Sequence, residues 1–382
     1  MYPSDIEEAW GLLRGQKGHD VAVAALVKER RAEGSATGPV VALLPAHNEA
    51  AGITQAIACI KTQVDRVVVV ADNCTDNTVE LARAGGAEVF ETVGNTDKKA
   101  GALNQVLATL LLRRKTDYIL IQDADSQLDP GFVECARGHL ERRSELGAVG
   151  GTFRGDGHPG LLGHLQRNEY ARYARDVRRL KGRCLVVTGT AATFRASTLW
   201  EVRTARLHGI IPAGDGQGSV YDTTVLTEDN ELTFALLHLG YEVLSPAGCT
   251  LVTEVMPTWR QLWNQRLRWK RGAIENCFQY GVTKITWKYW GRQLFTLLGL
   301  IVTAAYLGAI GYALGKGQVA IAPLWLGVTG IFMLERVVTL RDRGWKLMLP
   351  AVTMYELFYD IFLQVIHAKA YGDALFRRTR SW

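Results

Sequence analysis

Short apolar runs rich in β-branched residues alternate with amphipathic stretches of helical length through the first three quarters of the chain. The runs 40–44, 67–71 and 118–122 read as buried strands, and 88–90 as a shorter one. Helical periodicity covers 51–63, 77–85 and 98–114, and later 164–183, 230–237 and 259–269. Strands and helices alternating at this spacing predict a doubly wound parallel sheet. Residues 5–33 also show helical periodicity, broken by Gly and His near 15–19, and 34–39 is a linker. After Trp290 the pattern changes. Residues 294–314 form an uncharged apolar run, close to the roughly 20 residues that span a bilayer. A tight turn at 315–318 leads into a second apolar stretch, about 319–340. A third, about 347–371, carries Glu356 and Asp360 four residues apart on one face, which is costly in mid-bilayer. The expected organisation is a helical arm (1–38), an α/β domain (39–280) and a membrane region (281–382). That region would hold two spans plus an interfacial or re-entrant helix. A third true span, or soluble core helices throughout, are the alternatives.

Chemistry gathers at the strand ends. Residues 118–122 run straight into Asp123-Ala124-Asp125. Residues i and i+2 of a strand share a face, and open α/β sheets bind ligands at the carboxyl ends of their strands. Two hard oxygen ligands there suit a divalent cation with positions left open for a diphosphate; two exposed turn acids are the plainer reading. No glycine fingerprint of the dinucleotide type follows the first strand, which argues against NAD.

The net charge of +6 on 382 residues comes from arginine clusters without aromatic interleaving. It suits a membrane surface or phosphate-bearing ligands and points away from nucleic acid. Six cysteines lie scattered without metal spacing and read as reduced, mostly buried thiols. No signal peptide is evident, so a cytosolic face is expected for the α/β domain. The arginines of 164–183 form a basic face, either solvated or set against anionic headgroups. Lys288 and Arg292 before the first span, and Arg336, Arg341, Arg343 and Lys346 after the second apolar run ends at Leu334, put both flanks on the cytosolic side.

Seven short motifs then occur in one order. They are Pro45-Ala46-His47-Asn48-Glu49, Asp72-Asn73-x-x-Asp76, Lys99-x-Gly101, Asp123-x-Asp125, Thr188-Gly189-Thr190, Thr227-Glu228-Asp229 and Gln265-x-x-Arg268-Trp269. Together they resemble the family 2 glycosyltransferases, in the membrane-embedded branch with cellulose, chitin, hyaluronan and poly-N-acetylglucosamine synthases. The resemblance covers roughly residues 40–275 by motif, and the membrane part in layout only.

That resemblance implies a GT-A fold and an inverting transfer from a nucleotide-sugar, such as UDP-GlcNAc or UDP-Glc, to a growing β-linked glycan. Single transfer to a lipid phosphate or protein is the alternative, and a UDP-sugar-sensing scaffold without catalysis the more remote one. Pro45, Ala46, Asn48, Glu49, Asp72 and Asn73 would hold the nucleoside, although Asp72 could instead cap the following helix. Lys99 would approach the base or the phosphates, with Gly101 beside it and Lys98 as its rival. Asp123 and Asp125, around Ala124, would bind Mg2+ or Mn2+. Gln265 and Arg268 would add donors to the diphosphate, while Gly189, Thr190 and Trp269 would meet the acceptor. Asp229, beside Glu228, would be the catalytic base; both acids also suit the first turn of a helix, with Thr227 as its cap. The implied setting is the inner face of the cell membrane, with the lipid bilayer as partner and homo-oligomers possible.

Overall fold

The computed structural model describes residues 38–113, 117–317, 323–353 and 355–376. The expected helical arm therefore lies almost wholly outside the described residues. The chain divides into two compact units: Met1–Asp156 with Asp176–Glu254, and Gly157–Arg175 with Val255–Trp382.

In chain order the first unit contains β1 (Val40–Ala46), α1 (Ile53–Ile60), β2 (Arg66–Ala71), α2 (Thr78–Ala84), β3 (Glu88–Glu91) and α3 (Lys98–Arg113). There follow β4 (Tyr118–Gln122), β5 (Gln127–Leu128), α4 (Phe132–Arg142), β6 (Leu146–Gly150) and β7 (Thr152–Gly155). Helix α5 (Gly160–Arg179) begins in the second unit and ends in the first. The first unit closes with β8 (Ala191–Arg195), α6 (Ala196–Leu207), α7 (Glu228–His238), β9 (Glu242–Leu244) and β10 (Thr250–Thr253).

Seven strands form one sheet in the order β3-β2-β1-β4-β8-β6-β9, and β5-β10-β7 form a smaller one. The half from β3 to β4 is parallel, as the alternation predicts. The all-parallel expectation fails at β8, which runs antiparallel to both β4 and β6. The chain reaches β8 from α5 instead of through a right-handed crossover, so nothing forces it to be parallel. This reversal matters for the site. Gln122 pairs with Ala191, so the end of β4 meets the start of β8. Wholly buried strand residues such as Leu43, Ile119 and Ala148 pack against Leu103 and Leu107 of α3 and Leu232 and Leu236 of α7. All six cysteines are free thiols, as expected, but only Cys249 and Cys277 are buried; the other four are partly exposed, against the expectation of mostly buried thiols.

The second unit holds most of α5 with α8 (Trp259–Tyr280), α9 (Trp287–Gly315), α10 (Pro323–Thr339), α11 (Trp345–Ala351) and α12 (Leu357–Leu375). Among the described residues, α9 alone is long and apolar enough to cross a membrane, and none of its apolar window is buried. The third apolar stretch is two helices, α11 with Pro350 inside it and then α12.

The acids of that stretch are not left unpaired. Glu356 accepts from Arg172 Nη1 at 2.5 Å and Arg336 Nη1 at 2.6 Å, and also from Asn168; Asp360 accepts from Arg336. Arg175 donates to Thr339 Oγ1 at 2.5 Å. The basic face of α5 is therefore not uniformly solvated. Its Arg172 and Arg175 turn to polar groups of the same unit, while Arg178 and Arg179 stay exposed. Carboxylates removed from water draw guanidinium partners, because an unpaired buried charge is strongly destabilising.

Candidate active site

The site is built on the end of β4. Asp123 N donates to Thr190 O at 3.0 Å, extending the β4–β8 pairing by one residue, and Ser126 N donates to Asp123 O at 3.1 Å to close the turn. Ala124 is buried between the two acids. Ser126, itself buried, donates to Asp125 Oδ1 at 3.0 Å. Burial, then the neighbouring Asp123 charge, pushes the Asp125 carboxyl up to about 7. Glu49 is raised too, by burial and then by Glu254, Asp123 and Asp76. Carboxylates that raise one another mark a place where a cation is wanted.

Lys99 supplies one such charge. Its Nζ lies 2.5 Å from Asp123 Oδ1, 3.2 Å from Gly189 O and 3.6 Å from Glu228 Oε1. Burial opposes the ammonium form, but Asp123 and Glu228 outweigh it and hold Lys99 above its usual range. Lys98 is exposed, so the position beside the acids belongs to Lys99. Gly101 serves the fold around it: a Cβ there would stand 2.1 Å from Asn95 Oδ1.

Helix α7 brings the next acid. Asp229 Oδ2 accepts from Gly189 N at 2.9 Å and its Oδ1 from Asn230 N at 2.7 Å. One oxygen thus takes a helix amide and the other faces the β8 loop, so the capping role and the site position coexist. Thr227 occupies the N-cap position, yet its side chain makes no capping bond. Burial, and then Glu228, push the Asp229 carboxyl up to about 6. Gly189 is hemmed in: a Cβ would come to 3.1 Å from Lys99 Nζ and 3.4 Å from Asp229 Oδ2. Thr188 and Thr190 share a hydroxyl hydrogen bond of 2.9 Å. Lys99, Gly189, Glu228 and Asp229 line a small cleft with Tyr221. Nothing in the residues around Tyr221 marks it out in the sequence. Its backbone is held by Asn104 through two hydrogen bonds of 2.8 and 2.9 Å, and burial raises its phenol.

Two strands away, at the end of β2, Asp72 is 8% exposed. Its Oδ1 accepts from Thr92 Oγ1 at 2.7 Å and from Asn73 Nδ2 at 3.0 Å. It does not cap α2, whose N-cap position is Asn77 without a side-chain capping bond; Asp76 Oδ1 accepts from Thr78 N at 3.0 Å in the turn that leads into the helix. Pro45 and Ala46 close β1 beside this strand, with Ala46 in register with Ala71. Asn48, at φ 59°, spends its side-chain oxygen on Thr75 N at 2.8 Å and Asp76 N at 3.3 Å. It therefore shapes the loop that carries Asp72. Thr92 and Asn95 were not singled out by the sequence, since isolated polar residues after a short strand carry no recognisable spacing.

Gln265, Arg268 and Trp269 lie in the second unit, on α8, whose Thr258 cap accepts from Gln261 N. Arg268 is exposed, and Trp269 is 37% exposed. The buried Arg266 between them donates to Gln265 Oε1 at 2.5 Å and to Glu169 Oε2 at 3.0 Å. Its guanidinium stands 4.3 Å from the Trp269 ring centre.

Residues 42–203, which include most of β1, β2 to β4 and the Asp123/Asp125 turn, match the family model for glycosyl transferase family 2. Over these residues the chain is similar to the family 2 glycosyltransferases. Poly-beta-1,6-N-acetyl-D-glucosamine synthase of Staphylococcus aureus (strain COL) is 24% identical over 281 residues, 70% of this chain and 63% of the relative. The Staphylococcus epidermidis synthase of the same name is 24% identical over 249 residues, 61% and 54% respectively. The chain thus matches less than two thirds of the length of these relatives. Among solved structures, the mannosyltransferase PcManGT from Pyrobaculum calidifontis, in complex with GDP-Man and Mn2+, superposes with a TM-score of 0.60 at 16% identity. It covers 98% of this chain and 100% of its own. The fold of the α/β unit is the expected GT-A fold.

Proposed function

We propose that the chain is a membrane-associated, inverting glycosyltransferase that takes a sugar from a nucleotide-sugar, a UDP-sugar such as UDP-GlcNAc or UDP-Glc, to a growing β-linked glycan. The observation that carries this reading is the spacing of chemistry along one sheet edge. Asp72 ends β2 and Asp123 follows β4, with β1 between them. Two strand spacings are about 10 Å, which suits a nucleoside reaching from base to diphosphate. Asp229 and Gly189 then stand beyond the phosphate end, where an acceptor hydroxyl would arrive.

In this mechanism Asp72 meets the base and Lys99 lies against the phosphates. Asp123 and Asp125 fit a divalent cation: both are hard oxygen donors, and their mutual repulsion is relieved by positive charge. Among the described residues no group of three His, Cys, Asp or Glu could hold a metal by itself. Two carboxylates plus substrate phosphates is how Mg2+ and Mn2+ are commonly held in phosphate sites. When bound there, the metal supplies charge neutralisation for the departing nucleoside diphosphate. Asp229 takes the proton of the acceptor hydroxyl as that oxygen attacks the anomeric carbon from the face opposite the diphosphate. Gly189 N keeps the carboxylate aimed, and Glu228 raises its basicity. The parts that the resemblance gives Gln265 and Arg268 at the diphosphate, and Trp269 at the acceptor, rest on the motif alone. The synthase names of the curated relatives support a glycan acceptor, and α9 supports a bilayer.

Release of nucleoside diphosphate by the detergent-solubilised protein tests the reading. UDP-sugars and GDP-mannose would be offered with Mg2+ or Mn2+. Turnover of one donor with a product ladder is expected. A single-sugar adduct on lipid phosphate or protein would instead make the transfer non-processive. Binding of UDP-sugar with no transfer to any acceptor would leave a sensing scaffold.

A further inference from the structure

Asp72 is held in an unusual way for a group meant to read a base. Its Oδ1 already accepts two hydrogen bonds, from Thr92 Oγ1 at 2.7 Å and Asn73 Nδ2 at 3.0 Å. A carboxylate oxygen has two lone-pair sites, so Oδ1 is full. Both donors are themselves fixed. Thr92 follows β3, and its N donates to Ala71 O at 3.0 Å, which locks it beside the end of β2. Asn73 sits at φ 49° and spends its amide a second time on Asn95 O at 3.0 Å. Asn95 in turn donates to Lys98 O at 2.8 Å. Among the described residues no donor reaches Asp72 Oδ2.

We infer that Thr92 and Asn73 select the nucleobase by filling one oxygen of Asp72, leaving a single acceptor that suits uridine and disfavours guanosine. The inference rests on the proposed donor site and adds residues that decide between donors. Uracil offers one ring N–H, at N3, between two carbonyls. Guanine offers two adjacent donors, N1–H and the 2-amino group, which match a carboxylate with both oxygens open. Against Asp72, one guanine donor would be buried without a partner, and sites built on hydrogen bonding discriminate strongly on that ground. Cytosine and adenine present no protonated ring nitrogen at this edge. Thr92 is thus a specificity residue that acts through Asp72.

The test is titration calorimetry of the full-length protein in detergent with UDP and GDP, each with Mg2+. UDP is expected to bind the wild-type protein roughly tenfold or more tightly than GDP. Thr92→Val opens one site on Oδ1 and should shrink that preference several-fold, while Thr92→Ser, which keeps the hydroxyl, restores it. Asn73→Gly tolerates the positive φ and provides a second route to the same narrowing. Equal binding of UDP and GDP by the wild-type protein would overturn the inference. So would a Thr92→Val variant in which both affinities fall by one factor. Binding of neither nucleotide would overturn the donor site itself, so the two failures are separable.

Discussion

Asp229 and Glu228 are adjacent acids in one helix turn, and their surroundings give them different work. Asp229 accepts two backbone N–H groups, which favour its charge, yet burial and the Glu228 charge outweigh them and push it up to about 6. Glu228 faces Lys99. A base acts only when deprotonated, so turnover should climb with pH through about 6 and level off above it. Glu228→Gln removes one of the charges that raise Asp229, so the rising limb should move to lower pH. A pH–rate profile of the variant checks this, and a limb that stays put or moves upward would sink the assignment. Asp229→Asn should lower turnover by about a hundredfold or more and leave UDP binding within about twofold by calorimetry. A parallel loss of binding would instead make Asp229 part of the donor site. Gly189→Ala puts a methyl 3.1 Å from Lys99 Nζ, so kcat should drop more than donor affinity, as steady-state kinetics would show.

At the scale of elements, the parallel half of the sheet was readable because buried strands and amphipathic helices repeat there with little interruption. The end of β4 was readable for the same reason, since its apolar run stops at Gln122 and the acids follow at once. The direction of β8 was not. Strand periodicity says which face is buried but nothing about direction, and it is the antiparallel direction that delivers Gly189 and Thr190 to Asp123. Long-range pairing was equally hidden. Arg206 of α6 and Glu231 of α7 form a fully buried ion pair, with Nη2–Oε2 at 2.5 Å and Nη1–Oε1 at 3.0 Å. Arg206 also donates to Pro212 O at 2.8 Å and Val220 O at 3.2 Å. It therefore ties both ends of the glycine-rich 212–220 loop to the helix that carries Asp229. In the sequence these are one arginine and one glutamate among many. Arg206→Met strands Glu231 in the core and should cost about 3–5 kcal/mol, read by chemical denaturation. Arg206→Met with Glu231→Leu should recover much of that loss, because removing both charges lifts the penalty on the unpaired one. A double variant no more stable than the single would show that the pair does not act as a unit.

For the whole molecule, the question is what solvent α9 meets. Its 29 residues include Leu298 and Val302, which are 52% and 48% exposed, on the same face four residues apart. An exposed apolar helix face of this kind marks a surface that meets lipid or another protein, and lipid is the partner proposed above. The acids of the third apolar stretch fit this view, because Glu356 and Asp360 are paired with arginines before any bilayer is considered. An arginine near mid-bilayer costs about 2.5–3.5 kcal/mol on insertion scales. Leu298→Arg with Val302→Arg should therefore move the protein from the carbonate-resistant membrane fraction toward the soluble or aggregated fraction. Nucleotide binding should persist, since Asp72, Lys99 and Asp123 all lie in the first unit. If both arginines leave carbonate resistance unchanged, α9 does not cross the bilayer. If they abolish nucleotide binding along with membrane retention, the helix is acting on the fold of the α/β unit, and the spanning assignment loses its support.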